Sequence, residues 1–157
     1  MAVGTVSGLN LDEEWQLIAT NSPSGATNSS FTSISGYKKL MVTYQISSAS
    51  EKLVVRFNGD TGSNYAGIAI MYTTNQFRSN STYIPITSYN EATPVGYTIF
   101  KNTDKTTTPK IVEDGGGFNV SVSKGIWFGT SAVTQLDIFA VDGTAFTGTL
   151  KLYGVAA

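Results

Sequence analysis

The sequence predicts an all-β protein, an antiparallel β-sandwich of jelly-roll type, and three observations carry that expectation. Apolar and polar residues alternate with a period of two in run after run, no stretch of about ten residues shows a helical stripe, and Gly-containing turn steps separate the runs. Composition agrees: 41% of residues are hydrophobic and only 13% charged, so the surface is built from Ser, Thr, Asn and Gly. Strands tolerate Thr, and tight turns need Gly and Asn.

The clearest strand is Leu40, Val42, Tyr44 and Ile46, with Met41, Thr43 and Gln45 on the other face. Leu53, Val55 and Phe57 follow, then Ile68, Ile70 and Tyr72 as an inward-facing run, then Tyr97, Ile99 and Lys101 against Thr98, Phe100 and Asn102. Phe118, Val120 and Val122, then Leu136, Ile138 and Ala140, and finally Leu150 and Leu152 complete the series. Glu14 to Thr20 and Phe31 to Ile34 are two further strands. The result is about nine or ten short strands. Ser35-Gly36, Asn58-Gly59-Asp60, Gly115-Gly116-Gly117 and Asp142-Gly143 supply the turns, and segments 21–30 and 102–110 read as polar loops. Many short strands with regular turns argue for a sandwich or barrel, another Greek-key sandwich being the alternative to the jelly roll.

At 157 residues the chain falls within the size of one domain with one core. Residues 1–157 are therefore a single β-sandwich domain, with 1–13 as an N-terminal arm. No repeat, heptad or collagen-like shaft accompanies it. The Met1 start and the plain end Val155-Ala156-Ala157 read as a complete small gene product whose ends are held by neighbours.

A net charge of -1 supplies no field for phosphate backbones or anionic lipid, so neither nucleic acid nor membrane insertion is expected. The pair Lys38-Lys39 reads as a solvated strand end. The N-terminus lacks the basic and apolar regions of a signal peptide, which points to synthesis in the cytoplasm. The absence of Cys and His removes disulfides, thiolate and imidazole metal sites and the Ser-His-Asp and Cys-His machineries. No cofactor and no metal are expected, and the protein reads as a non-enzyme.

Sugar hydrolysis needs only two carboxylates, for which Asp60, Glu91, Glu113 and Asp114 are the candidates, but no pair is marked out. The run Asn58 to Asn64 offers oxygens of the kind calcium takes, yet lacks the acidic spacing and closing Glu of an EF-hand loop. A tight turn with positive φ at Asn58-Gly59 is the simpler reading, with calcium as the alternative. The triplets beginning at Asn28, Asn80 and Asn119 match glycosylation acceptors but arise by chance in so Asn/Ser-rich a chain.

Tyr72 to Asn90 mixes Tyr, Ser and Asn with Phe and Arg, the composition of adaptable binding loops. Residues Thr73 to Thr82 show no alternation and read as an exposed loop. Phe77 and Arg78 are its expected anchors, with Tyr72, Tyr83 and Tyr89 as further binding or interface residues, because an uncovered Phe in a polar loop calls for a cover.

The run Leu53-Val-Val-Arg56-Phe57-Asn58-Gly59-Asp60-Thr-Gly-Ser-Asn64-Tyr65 resembles the Arg-Phe-Asn-Gly-Asp motif of small jelly-roll domains in tailed-bacteriophage virion proteins. Ile126-Trp127, Leu136-Asp-Ile138 and Phe146-Thr-Gly148-Thr-Leu-Lys-Leu152-Tyr153-Gly154-Val155 are similar to the closing strands of those domains. Trp15 and Tyr37-Lys-Lys-Leu40-Met-Val42-Thr-Tyr44 also sit where those domains place theirs, so the resemblance covers nearly the whole chain. It implies a virion location as a head decoration or turret, minor tail or fibre-tip protein, and no catalytic residue. Arg56, Asn58, Gly59 and Asp60 are then structural, with Arg56 and Asp60 joined across the turn by an ion pair or hydrogen bond.

The expected function is a virion accessory protein on the capsid or tail surface. Its expected partners are copies of itself, as a homotrimer, and other virion proteins. The alternative is a receptor- or carbohydrate-binding module of a tail fibre, with a cell-surface glycan as partner.

Overall fold

The computed structural model describes residues 14–70, 75–87, 93–115 and 122–157. Among them there is no helix. Twelve strands form: β1 (Gln16–Asn21), β2 (Asn28–Phe31), β3 (Tyr37–Ala49), β4 (Leu53–Phe57), β5 (Tyr65–Ile70), β6 (Asn75–Ser81), β7 (Ile84–Pro85), β8 (Val95–Lys101), β9 (Lys110–Gly115), β10 (Val122–Trp127), β11 (Leu136–Ala140) and β12 (Phe146–Ala156). All pair antiparallel, in an eight-stranded sheet of order β1-β12-β3-β8-β9-β10-β5-β6 and a four-stranded sheet of order β2-β11-β4-β7. The molecule is an all-β antiparallel sandwich.

The core lies where the two sheets face each other. Leu40, Val42, Tyr44 and Ile46 of β3, Leu150 and Leu152 of β12 and Phe100 of β8 meet Leu53, Val55 and Phe57 of β4 and Leu136 and Ile138 of β11, all essentially buried. Each set occupies alternate positions, as a strand with one covered face requires. Where the large sheet runs beyond β8 it closes on the edge of the small one at β7. Gly67 and Gly125 stand opposite each other on β5 and β10. A Cβ on Gly125 would come within 2.7 Å of the Ile84 side chain, so glycine there permits the close approach of β7.

Several expectations need correction. The second strand is Asn28–Phe31 and not Phe31 to Ile34, so part of segment 21–30 is a strand and not a loop. Ser33, with a φ of 58°, ends the extended backbone after it. β9 begins at Lys110, and β10 runs Val122–Trp127, with residues 118–121 outside the described part. Residues 75–81 are not a loop but a strand, β6, paired with β5 at the edge of the large sheet. The phase of β5 is also reversed. Tyr65 is the buried residue, and Ile68 lies on the outward face beside the exposed Lys124 of β10.

Candidate functional site

Pleating decides what the outward face of the extended large sheet presents. Ile111 pairs with Ile126 across β9 and β10, Ile126 with Ala66 across β10 and β5, and Ile68 with Phe77 across β5 and β6. Residues directly opposite in adjacent strands share a face, so these side chains form one apolar surface. Between them runs a groove of about 370 Å³, bordered by Lys124. Phe77 stands 74% exposed, and Ile111 and Ile126 are exposed as well. Uncovered apolar side chains on adjacent strands form a contiguous patch, not scattered surface hydrophobics. Charges flank it: Lys101 Nζ lies 2.6 Å from Glu113 Oε2, and Lys124 is the cross-strand partner of Glu113. The Lys101 hydrogen bond holds the Glu113 carboxyl below its ordinary value.

Of the expected anchors, only Phe77 faces this groove. Arg78, the next residue of the strand, turns to the other side, where its Nη1 donates to the Tyr83 hydroxyl at 3.2 Å and its guanidinium stands 5.7 Å from the Tyr83 ring centre. Phe77 and Arg78 thus do not act together, because neighbours in a strand point to opposite faces. Tyr72 and Tyr89 lie outside the described residues. Sequence reading missed Ala66, Ile68, Ile111 and Ile126. For Ile68 the alternation was read but not which face the fold would cover, and around Ile111 the run Lys-Ile-Val-Glu-Asp shows no alternation.

The Asn58-Gly59 turn forms, and Asp60 makes different contacts from the one expected. Asn58 and Gly59 have φ of 53° and 66°, and the Asp60 N–H donates to the Phe57 carbonyl at 2.8 Å, which is a type I′ turn. Arg56 and Asp60 form no ion pair or hydrogen bond. Arg56 Nε donates to the Thr82 carbonyl at 2.9 Å and its guanidinium lies 4.4 Å over the Phe139 ring. Asp60 instead accepts from Trp127 Nε1 at 2.7 Å, the Gly62 N–H at 2.8 Å and Asn64 Nδ2 at 3.0 Å. Burial would push its carboxyl up, but these donors outweigh it and hold the group below the ordinary value. With N–H groups aimed at the carboxylate, a cation would have to displace them. Asn58 in turn accepts from the backbone N–H groups of Thr134 and Gln135 and donates to the Ala132 carbonyl, pinning the loop before β11.

Behind Asp60, Trp127 stacks on Phe57 at 5.0 Å, and the buried Tyr65 hydroxyl donates to the Asp60 carbonyl. Burial pushes that phenol up to about 12. Lys110 is fully buried and its ammonium donates to the carbonyls of Lys105, Thr108 and Thr130, with burial depressing its pKa. Asp114 accepts from the Tyr44 and Thr98 hydroxyls. Glu91 is outside the described residues. The three described carboxylates considered for sugar hydrolysis are therefore each engaged in a different local network.

A second depression, of about 450 Å³, lies on the outward face of the small sheet, between Arg56, Asp137, Phe139, Asn28, Thr27 and Thr61. Comparison with protein-family models, with curated proteins and with solved structures gives no match to this chain.

Proposed function

We propose that this protein is a structural accessory of a tailed-bacteriophage particle, on the capsid or tail surface, that associates with copies of itself through the outward apolar face around Phe77. The observation that carries the association is that face: Phe77 is 74% exposed beside Ile111 and Ile126, while Val112 and Trp127 on the other side of β9 and β10 are buried. The occupant is a second copy. The face carries both charges, Lys101 and Lys124 around Glu113, so an identical surface offers the opposite sign where it is needed, and a net charge of -1 opposes association little. We take three as the copy number, since jelly rolls of virion surfaces gather around threefold axes.

The virion setting rests on the resemblance of the Arg56 to Asp60 run and the closing strands, and strand order supports the jelly-roll reading. Taken alone, β1, β2, β3, β4, β7, β8, β11 and β12 lie as β1-β12-β3-β8 in one sheet and β2-β11-β4-β7 in the other. The chain changes sheet at every step except from β4 to β7. The other four strands are two insertions that widen the large sheet and carry the apolar face. A non-catalytic role is part of the same proposal, because Asp60, Glu113 and Asp114, the described carboxylates considered for sugar hydrolysis, serve as hydrogen-bond and ion-pair partners within the fold.

Light scattering on the purified chain tests the association. The parent should sediment and scatter as a trimer, and Phe77→Asp as a monomer with an unchanged melting temperature. A parent that is monomeric at tens of micromolar, in the range where weak interfaces dissociate, overturns self-association; a dimer overturns the threefold. Loss of glycan or cell binding by Phe77→Ala with the oligomer intact would favour the tail-fibre module instead.

A further inference from the structure

The depression on the small sheet differs in chemistry from the apolar face and lies on the other sheet. Arg56 and Asp137 are direct cross-strand partners on β4 and β11, so their side chains leave the same face side by side. Both are held in place by their neighbours. Arg56 is fixed by its Nε bond to the Thr82 carbonyl and by its stacking on Phe139, contacts that leave its two terminal nitrogens without an acceptor among the described residues. The Asp137 carboxylate is oriented by Ser30 Oγ at 2.6 Å and by Gln135 Nε2 at 2.8 and 2.9 Å. Asn28 Nδ2 donates to Ser30 Oγ at 2.9 Å, extending the same network to the rim.

A fixed N–H fork beside a fixed carboxylate is a matched donor and acceptor. A hydroxyl both donates and accepts, so two adjacent hydroxyls on a ring satisfy the pair together, one receiving from the guanidinium and the other giving to the carboxylate. A ligand carboxylate would meet Asp137 and be repelled. The space is that of a small ligand, at about 450 Å³, and glycines 59 and 143 at its margin put no side chain into it. We propose that this groove binds a neutral hexose unit of a glycan, through Arg56 as donor and Asp137 as acceptor. The inference does not depend on the association proposed above, which uses the opposite side of the sandwich.

Saturation-transfer NMR and calorimetry with the methyl glycosides of glucose, galactose and mannose, and with glucuronate as the charged control, test it. At least one neutral glycoside should bind saturably at millimolar concentration, the weak end expected of a single sugar. Arg56→Lys and Asp137→Asn, each checked by melting to be folded, should weaken that binding about tenfold or more, since each breaks one half of the pair. Phe77→Asp should leave it unchanged. No binding of any neutral glycoside, equal binding by both folded variants, or binding of glucuronate alone each overturns the proposal. Should Arg56→Lys fail to fold, the Asp137→Asn result decides it.

Discussion

Asp60 shows how one side chain can bind a turn to a core. Three N–H groups converge on its carboxylate, one of them from the stacked Trp127. Asp60→Ala leaves those donors without their acceptor, and we expect a loss of about 1–3 kcal/mol, read as a drop of roughly 2–4 °C per kcal/mol in a chain of this size. Because the folded-state carboxyl titrates below the ordinary 3.8, its ionised form stabilises the fold. That contribution is complete above 3.8 and disappears as pH falls through the lower folded-state value. The gap in melting temperature between the parent and Asp60→Asn should therefore shrink as pH drops below 3.8, and a constant gap would show that charge plays no part. Arg56→Ala should cost about 1 kcal/mol through loss of the Thr82 bond and the Phe139 stacking. The Asn58-Gly59 turn was legible in the sequence, since few residues accept two successive positive φ values. The partner of Asp60 was not, because Trp127 is far from it in the chain and only the folded β10 brings the indole there.

At the scale of elements, legibility followed composition. In β3, β11 and β12 buried apolar positions alternate with less buried ones and pack between the sheets, so pattern and burial largely coincide, while in β4 Val54 is buried as well as Leu53 and Val55. β2 and β6 read Asn-Ser-Ser-Phe and Asn-Gln-Phe-Arg-Ser-Asn-Ser, almost wholly polar, because edge strands need their ladder but little core. β9 inverts the usual order: Lys110 and Asp114 face inward, each with hydrogen-bond partners, while Ile111 faces out. Period alone reveals that two faces differ and leaves open which is covered; that is why the phase of β5 was reversed and the apolar groove was not foreseen. The contact of β10 with β7 gives a sharper test. In Gly125→Ala the new Cβ would stand 2.7 Å from an Ile84 methyl group, and we expect about 1–3 kcal/mol of destabilisation by overpacking. Adding Ile84→Ala, which removes the clashing atoms, should cost less than the sum of the two single losses; a double variant with purely additive losses would show that the two residues do not meet.

At the scale of the whole molecule, the large sheet has eight strands and the small one four, so the sandwich carries more sheet than its partner layer can span. The outward apolar face grows from that excess, while the polar groove sits on the compact layer. Strand order has another consequence, which concerns time. β12 lies between β1 and β3 and pairs with both, so a strand made long after either forms the seam between them. Until Phe146–Ala156 has left the ribosome, β1 has no neighbour in its sheet and β3 has only β8. Such distant pairings close slowly, on a scale of about milliseconds to seconds, and a nascent chain stalled before Phe146 should be fully digested by protease, whereas one stalled well after Ala156 should resist. Resistance in the shorter chain would mean that the sandwich closes without β12. The sandwich is therefore closed only once Phe146–Ala156 has emerged, and the edges of β1 and β3 stay open to neighbouring nascent copies until then.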